Sequence, residues 1–139
     1  MEKVFVFGTL KQGFPNFKSN NGIRFRKEFE TAERFPLYLI GERYSPWLIL
    51  NPGYGCRIQG QVFCVTAAAL TEMDQLERIN EPDGYRRVEI QVLCKETGEP
   101  FNVYVYGKFQ SQLVESDIRH ALSGEYLLTH ADLYRNRMP

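Results

Sequence analysis

Ile58-Gln59-Gly60-Gln61-Val62-Phe63-Cys64-Val65-Thr66-Ala67-Ala68-Ala69-Leu70-Thr71-Glu72-Met73-Asp74-Gln75-Leu76-Glu77-Arg78-Ile79 is the stretch in which the apolar period changes. Its first eight residues are rich in β-branched and aromatic side chains and follow the turn signal Asn51-Pro52-Gly53-Tyr54-Gly55, so they read as a strand. From Thr66 to about Ile79 there is neither Gly nor Pro, three alanines open the segment, and Thr66 is placed to cap it. Leu70, Met73 and Leu76 recur at helical spacing, which predicts a helix whose apolar face packs against a sheet.

Working outward, Lys3 to Phe7 is a short apolar strand broken by Gly8. Residues 11–34 are mixed and polar and predict loop, with one irregular strand near Ile23 to Phe29. Phe35 to Ile40 and Trp47 to Leu50 are two further strand candidates. Beyond the helix and the turn Asn80-Glu81-Pro82-Asp83-Gly84, residues 85–93 alternate, with Arg86, Val88, Ile90, Val92 and Cys94 forming the more apolar set of a long strand. Phe101 to Tyr106 pairs with it across Glu96-Thr97-Gly98-Glu99. A short helix around Val114 to Leu122 and an aromatic segment to Tyr134 complete the reading. The order strands, helix, strands, helix predicts an α+β fold built on one antiparallel or mixed sheet, curled towards a barrel that protects its edges. A Rossmann unit is excluded, because strands and long helices do not alternate and no Gly-x-Gly-x-x-Gly follows the first strand.

The length of 139 residues suits a single domain spanning 1–139. Seventeen basic and seventeen acidic residues cancel, and a pI near 6.7 supplies no field that would gather nucleic acid or dock on an acidic bilayer. The longest apolar stretches are far short of the roughly 20 residues that span hydrocarbon, and Met1 to Phe7 lacks a basic leader followed by a cleavable apolar segment. A cytosolic monomer that engages neither nucleic acid nor membrane is expected. Cys56, Cys64 and Cys94 cannot all pair within one chain and form no Cys-x-x-Cys, and two sit in strand-like apolar sequence, so they read as inert thiols in a reducing compartment. His120 and His130 have no ligand cluster around them, and no metal site is expected.

Two places carry chemical content. At about 100° per residue Glu77 falls roughly 40° from the centre of the Leu70, Met73, Leu76 face. An acid at that edge is costly unless it is paired, hydrogen-bonded or facing a cavity. It either meets Arg78, Arg86 or Arg87 in a partly buried ion pair, reaches solvent, or is a carboxyl group whose pKa is raised by burial and by the last helical turn, able to exchange protons near neutrality. The other place is the turn Phe7-Gly8-Thr9-Leu10-Lys11. A strand ending in Gly lets backbone approach a ligand, and successive N–H groups there can cradle a carboxylate or phosphate, although an ordinary structural turn has the same sequence. Lys11 and Gly13 add charge and flexibility without making a Walker sequence. No serine has a Gly-x-Ser-x-Gly context. Asp74 falls on the more exposed side of the helix.

In combination, Val6-Phe7-Gly8-Thr9-Leu10-Lys11-Gln12-Gly13-Phe14-Pro15-Asn16, Phe35-Pro36-Leu37 with Pro46-Trp47-Leu48, Gly60-Gln61-Val62-Phe63, and Leu70 through Glu77 followed by Tyr85-Arg86-Arg87 resemble the gamma-glutamyl cyclotransferase-like family, and most of all its gamma-glutamylamine cyclotransferase branch. The resemblance covers roughly the first 107 residues. It implies a small β-barrel flanked by helices, with a cavity at one mouth. There the glycine turn, here Phe7, Gly8, Thr9 and Leu10, holds the glutamyl moiety, and Glu77 falls at the acid-base position. Phe7 stands where the common motif has tyrosine, so a hydroxyl is missing that Tyr85 or Tyr106 would supply.

The implied reaction is closure of a gamma-glutamyl amide on its own α-amine to give 5-oxoproline and a free amine. Folding the chain back makes this a well-oriented intramolecular step. It needs a base, oxyanion donors and an acid, but no metal or cofactor. A relative acting on another gamma-glutamyl compound, or a module that only binds a small carboxylate, would carry the same residues.

Overall fold

The computed structural model describes residues 1–135. Five strands close a barrel in the order β1 (Glu2–Val6), β5 (Cys56–Val65), β2 (Ile23–Phe35), β6 (Arg86–Cys94), β7 (Pro100–Gly107). All neighbours are antiparallel except the closing pair, where β1 and β7 run parallel with Val4 opposite Tyr104. A smaller sheet of β4 (Ser45–Leu48), β3 (Leu37–Ile40) and β8 (Ile118–Ala121) stands beside it. The α+β barrel expected from the alternation of period is thus the observed architecture.

The two-residue period of β1 divides the core. Phe5 points into the barrel with Phe29, Ile58, Val62 and Val105, while Val4 and Val6 point outwards beneath the helix α1 (Ala67–Leu76) with Phe63, Leu70 and Met73. Thr66 caps α1 as expected, its hydroxyl accepting from the Ala69 N–H at 3.1 Å. A third apolar cluster gathers Leu39, Tyr126 and Ala131 of the short helix α2 (Leu128–Ala131) beneath the smaller sheet.

Three expectations are corrected. Leu76 is 50 % exposed and does not share the buried face of Ala69, Leu70 and Met73, because α1 ends there and the sheet no longer lies beneath it. The polar segment expected to be mainly loop contains the thirteen-residue β2; its pairing with β5 is interrupted between Phe25 and Phe29 and again between Glu30 and Arg34, so no alternation survives in the sequence. Buried Thr31 bridges the second irregularity, donating to Glu33 O and accepting from the Ile58 N–H at 2.8 Å. Residues 114–122 form no α-helix: a 3₁₀ turn at Glu115–Asp117 leads into β8, which covers the edge of β3.

Candidate active site

Because β1 and β7 run parallel, their C-terminal ends open at the same barrel mouth, and a cavity of about 630 Å³ lies there. Its lining includes Phe7, Gly8, Thr9, Leu10, Glu77 and Tyr85, which are all the site residues expected from the sequence. Phe7 is shared between the cavity and the barrel core.

The glycine turn is fixed by its own hydrogen bonds. The Lys11 N–H donates to Gly8 O at 3.1 Å, the Asn16 N–H to Thr9 O at 2.8 Å, and the Asn20 amide to Leu10 O at 3.1 Å. Among the described residues, the N–H groups of Gly8, Thr9 and Leu10 donate to no protein acceptor, leaving three donors in succession at the cavity wall. A Cβ on Gly8 would sit 2.8 Å from Pro46 Cγ, so this glycine also lets the β3–β4 hairpin pack close. Lys11 contributes no charge to the cavity. Its ammonium turns away, 5 % exposed, donating to Tyr126 O at 2.6 Å and lying over the Phe14 ring, and burial lowers its pKa.

Glu77 is the C-terminal cap of α1, and its backbone is held on both sides. Its N–H donates to Met73 O at 2.9 Å and its carbonyl accepts from the Tyr85 N–H at 2.9 Å. The connection between them folds back through Arg78, whose φ of 56° is left-handed, and through Gly84, where a Cβ would lie 1.7 Å from Arg78 O. The arginines considered as partners for Glu77 are engaged elsewhere: Arg87 with Asp74 at 2.6 Å, Arg78 with Asp83 at 3.2 Å, and Arg86 with the carbonyls of Glu81 and Gly84.

Asp74 lies deeper than its helical phase suggested. It accepts from the Tyr106 hydroxyl and from Arg87 Nη1, each at 2.6 Å, and so ties α1 to β6 and β7. The Tyr85 hydroxyl donates to Pro46 O at 3.0 Å. Burial, with the charge of Glu77 adding to it, pushes the Tyr85 phenol well up. Tyr106 is pushed up by burial, then by its bond to Asp74. Both hydroxyls therefore remain protonated at neutral pH and have given their protons to the protein, which leaves their oxygens as acceptors.

Arg43, Lys108 and Tyr134 are among the cavity residues that had not been singled out from the sequence, and Asn16, quoted there only as the end of the first motif, lines the cavity too. Asn16 Nδ2 donates to Thr9 Oγ1 at 3.0 Å and to the Tyr134 hydroxyl at 3.2 Å, and Arg43 Nη2 donates to the same hydroxyl at 3.0 Å. This chain joins the glycine turn to the β3–β4 turn through a residue 118 positions away from Asn16, a closeness that no spacing announces. Among the described residues, no three His, Cys, Asp or Glu side chains come together as metal ligands, and no helix is long and apolar enough to cross a membrane. Cys56, Cys64 and Cys94 are free thiols.

The family model described as "Gamma-glutamyl cyclotransferase, AIG2-like" matches residues 4–128. A protein of Mus musculus named gamma-glutamylaminecyclotransferase is 35 % identical over 117 residues, covering 76 % of this chain and 77 % of the relative. The Homo sapiens protein of the same name is 35 % identical over 105 residues, covering 72 % and 67 %. The crystal structure of an AIG2-like protein from Mus musculus superimposes with a TM-score of 0.75 at 28 % identity, covering 100 % of this chain and 98 % of that one.

Proposed function

From the premise that the chain belongs to the gamma-glutamyl cyclotransferase, AIG2-like family, we propose that it converts gamma-glutamyl amines to 5-oxoproline and the free amine, with Glu77 as base and then acid. The observation that carries this reading is that one cavity is lined by the Gly8, Thr9 and Leu10 donors and by the C-terminal cap Glu77. The choice of an amine as the leaving group follows the names of the relatives that match over most of this chain.

The substrate supplies its own nucleophile, so the protein has to fold it and move protons. The glutamyl α-carboxylate docks on the N–H groups of the glycine turn. The Glu77 carboxylate takes a proton from the α-ammonium, and the freed amine attacks the γ-carbonyl carbon, closing the five-membered ring. When the tetrahedral carbon collapses, its bond to the side amine breaks and the Glu77 carboxylic acid returns the proton to the departing nitrogen, while the ring nitrogen gives its second proton to water and the freed amine takes one up from water. Phe7 gives the glutamyl chain an apolar wall, and Tyr85 offers a fixed hydroxyl oxygen that accepts hydrogen bonds.

Wild type and Glu77→Gln are incubated with gamma-glutamyl-ε-lysine and other gamma-glutamyl compounds, with 5-oxoproline and free amine followed separately. Glu77→Gln keeps volume and hydrogen bonding while ending the proton cycle, so binding should persist and turnover should fall roughly two to four decades. Equal rates of 5-oxoproline formation would remove Glu77 from the chemistry. Tight binding without products would mark a binding module, and release of glutamate would mark a hydrolase.

A further inference from the structure

Three tyrosines line the cavity, and they differ in what they do with the phenolic proton. Tyr85 gives its proton to Pro46 O and Tyr106 gives its proton to Asp74. Tyr134 does the reverse. Its oxygen accepts from Asn16 Nδ2 at 3.2 Å and from Arg43 Nη2 at 3.0 Å, and a guanidinium can only donate. With the oxygen's acceptor positions taken, the O–H has to turn elsewhere, and among the described residues it meets no acceptor. Thr9 is placed in the same way: its Oγ1 accepts from the same Asn16 nitrogen at 3.0 Å and donates to no described residue.

The phenol is fixed in place by the chain around it. The Arg135 N–H donates to Arg43 O at 2.9 Å and Arg43 Nε donates to Arg135 O at 3.0 Å, which stitches the segment after α2 to the turn between β3 and β4. The Arg43 guanidinium also lies 5.6 Å from the centroid of the Tyr134 ring. A hydroxyl that accepts from a cation is a stronger donor through its own proton. Its surroundings say which acceptor it suits. Asn16 belongs to the framework of the glycine turn, its N–H bonded to Thr9 O, and its side chain sets the Tyr134 and Thr9 hydroxyls within one amide nitrogen's reach of each other. The carbonyls of Gly8, Thr9 and Leu10 are engaged, so this wall of the cavity offers donors: three successive N–H groups and two hydroxyls. A carboxylate has about four lone-pair sites for such donors, whereas the NH₂ of a carboxamide would face them. We propose that Tyr134 is a binding residue for the α-carboxylate of the gamma-glutamyl group: its hydroxyl, held by Asn16 and Arg43, donates together with that of Thr9 to the carboxylate resting on the glycine turn. The assignment rests on the cyclisation reading above, and it makes the end of the described chain a part of the site.

The test compares gamma-glutamyl-ε-lysine with the analogue whose glutamyl α-carboxylate is a carboxamide, using wild type and Tyr134→Phe, which removes the hydroxyl and keeps the ring beside Arg43. Wild type should prefer the carboxylate. Tyr134→Phe should raise KM for the carboxylate about 10-fold, the scale of one hydrogen bond to a charged group, with kcat little changed because the bond is made in the ground state and the transition state alike. KM for the carboxamide should hardly move, so the preference shrinks by the same factor. A hydroxyl that only braces the C-terminal segment would instead weaken both compounds alike. Such an equal change, an unchanged KM for the carboxylate, a fall in kcat alone, or no preference in wild type would overturn the assignment. If Tyr134→Phe does not fold, Tyr134→Leu takes its place in the same comparison. Should no 5-oxoproline form, the cyclisation reading fails by itself, and calorimetric titration of the same two compounds decides on Tyr134. A carboxylate preference that shrinks in the variant supports the assignment; equal affinities, or no binding by wild type, overturn it.

Discussion

Gly84→Ala tests whether the short connection after α1 is what holds Glu77 in place. The added Cβ would lie 1.7 Å from Arg78 O and 2.5 Å from Arg78 C, whereas real Cβ contacts stay beyond 3.0 Å, so one strand of the connection must move by about 1.3 Å. The obstacle is backbone, and Arg78 already sits at a φ of 56°, so no side-chain rotation relieves it. The movement passes into the pair closed by the Tyr85 N–H and Glu77 O at 2.9 Å. Overpacking of this kind costs about 1–3 kcal/mol and a lost hydrogen bond about 1 kcal/mol more, so stability should fall by about 2–4 kcal/mol. A displacement near 1 Å at a proton-transferring group costs on the order of 10²-fold in rate. Urea unfolding measures the first effect, and kcat for 5-oxoproline formation under conditions where the variant is folded measures the second. Stability within about 0.5 kcal/mol of wild type, together with kcat within about twofold, would refute the reasoning.

Tyr126 is fully buried and its hydroxyl meets no partner among the described residues, so Tyr126→Phe should raise stability by about 1 kcal/mol, seen as a Tm a few degrees higher; a lower Tm would show that the hydroxyl is bonded in solution. The phenols of Tyr85, Tyr106 and Tyr126 are all pushed up, first by burial. Their contribution is complete below the unfolded phenol pKa near 10 and is lost as pH rises above it, because the unfolded chain then binds fewer protons. Lys11, lowered by burial, works in the opposite direction as pH rises towards the unfolded lysine pKa. Three phenols against one amine predict a net fall in urea stability above pH 10, approaching about 1.4 kcal/mol per pH unit for each uncompensated group; a flat profile between pH 9 and 11 would contradict it.

What the sequence makes legible is local. Thr66 announces the start of α1 because capping is settled within three residues, and Gly8 announces the end of β1 because a strand broken by glycine needs no distant information. Phe7, Gly8, Thr9, Leu10 and Glu77 were accessible by the same route, as motif and helical phase, Tyr85 came only through the family resemblance, and all six line one cavity. The error over Leu76 comes from extending a periodic pattern past the point where the sheet ends beneath it. Asp74 was misjudged because phase reports the direction from the helix axis, whereas Tyr106 and Arg87 reach it from β7 and β6. Arg43, Lys108 and Tyr134 were missed because each enters the site through tertiary proximity. Only Lys108 left a trace, as a glycine-bounded strand end resembling that of β1.

The parallel pairing of β1 with β7 also fixes the order in which the molecule can be completed. Val4 and Tyr104 are one hundred residues apart, and the other partner of β1, β5, begins at Cys56. During synthesis the first strand is the earliest to emerge and among the last to be fully paired, because loop closure over such distances delays its partners. Until β7 arrives, β1 keeps one open edge, the kind of surface on which unfinished chains associate. The glycine turn and Lys108, which are neighbours in the finished barrel, come together only when that last strand docks. The cavity mouth is therefore a late property of the folding chain: a fragment ending before residue 100 would contain Glu77 and the glycine turn but would lack the strand that closes the barrel beside them.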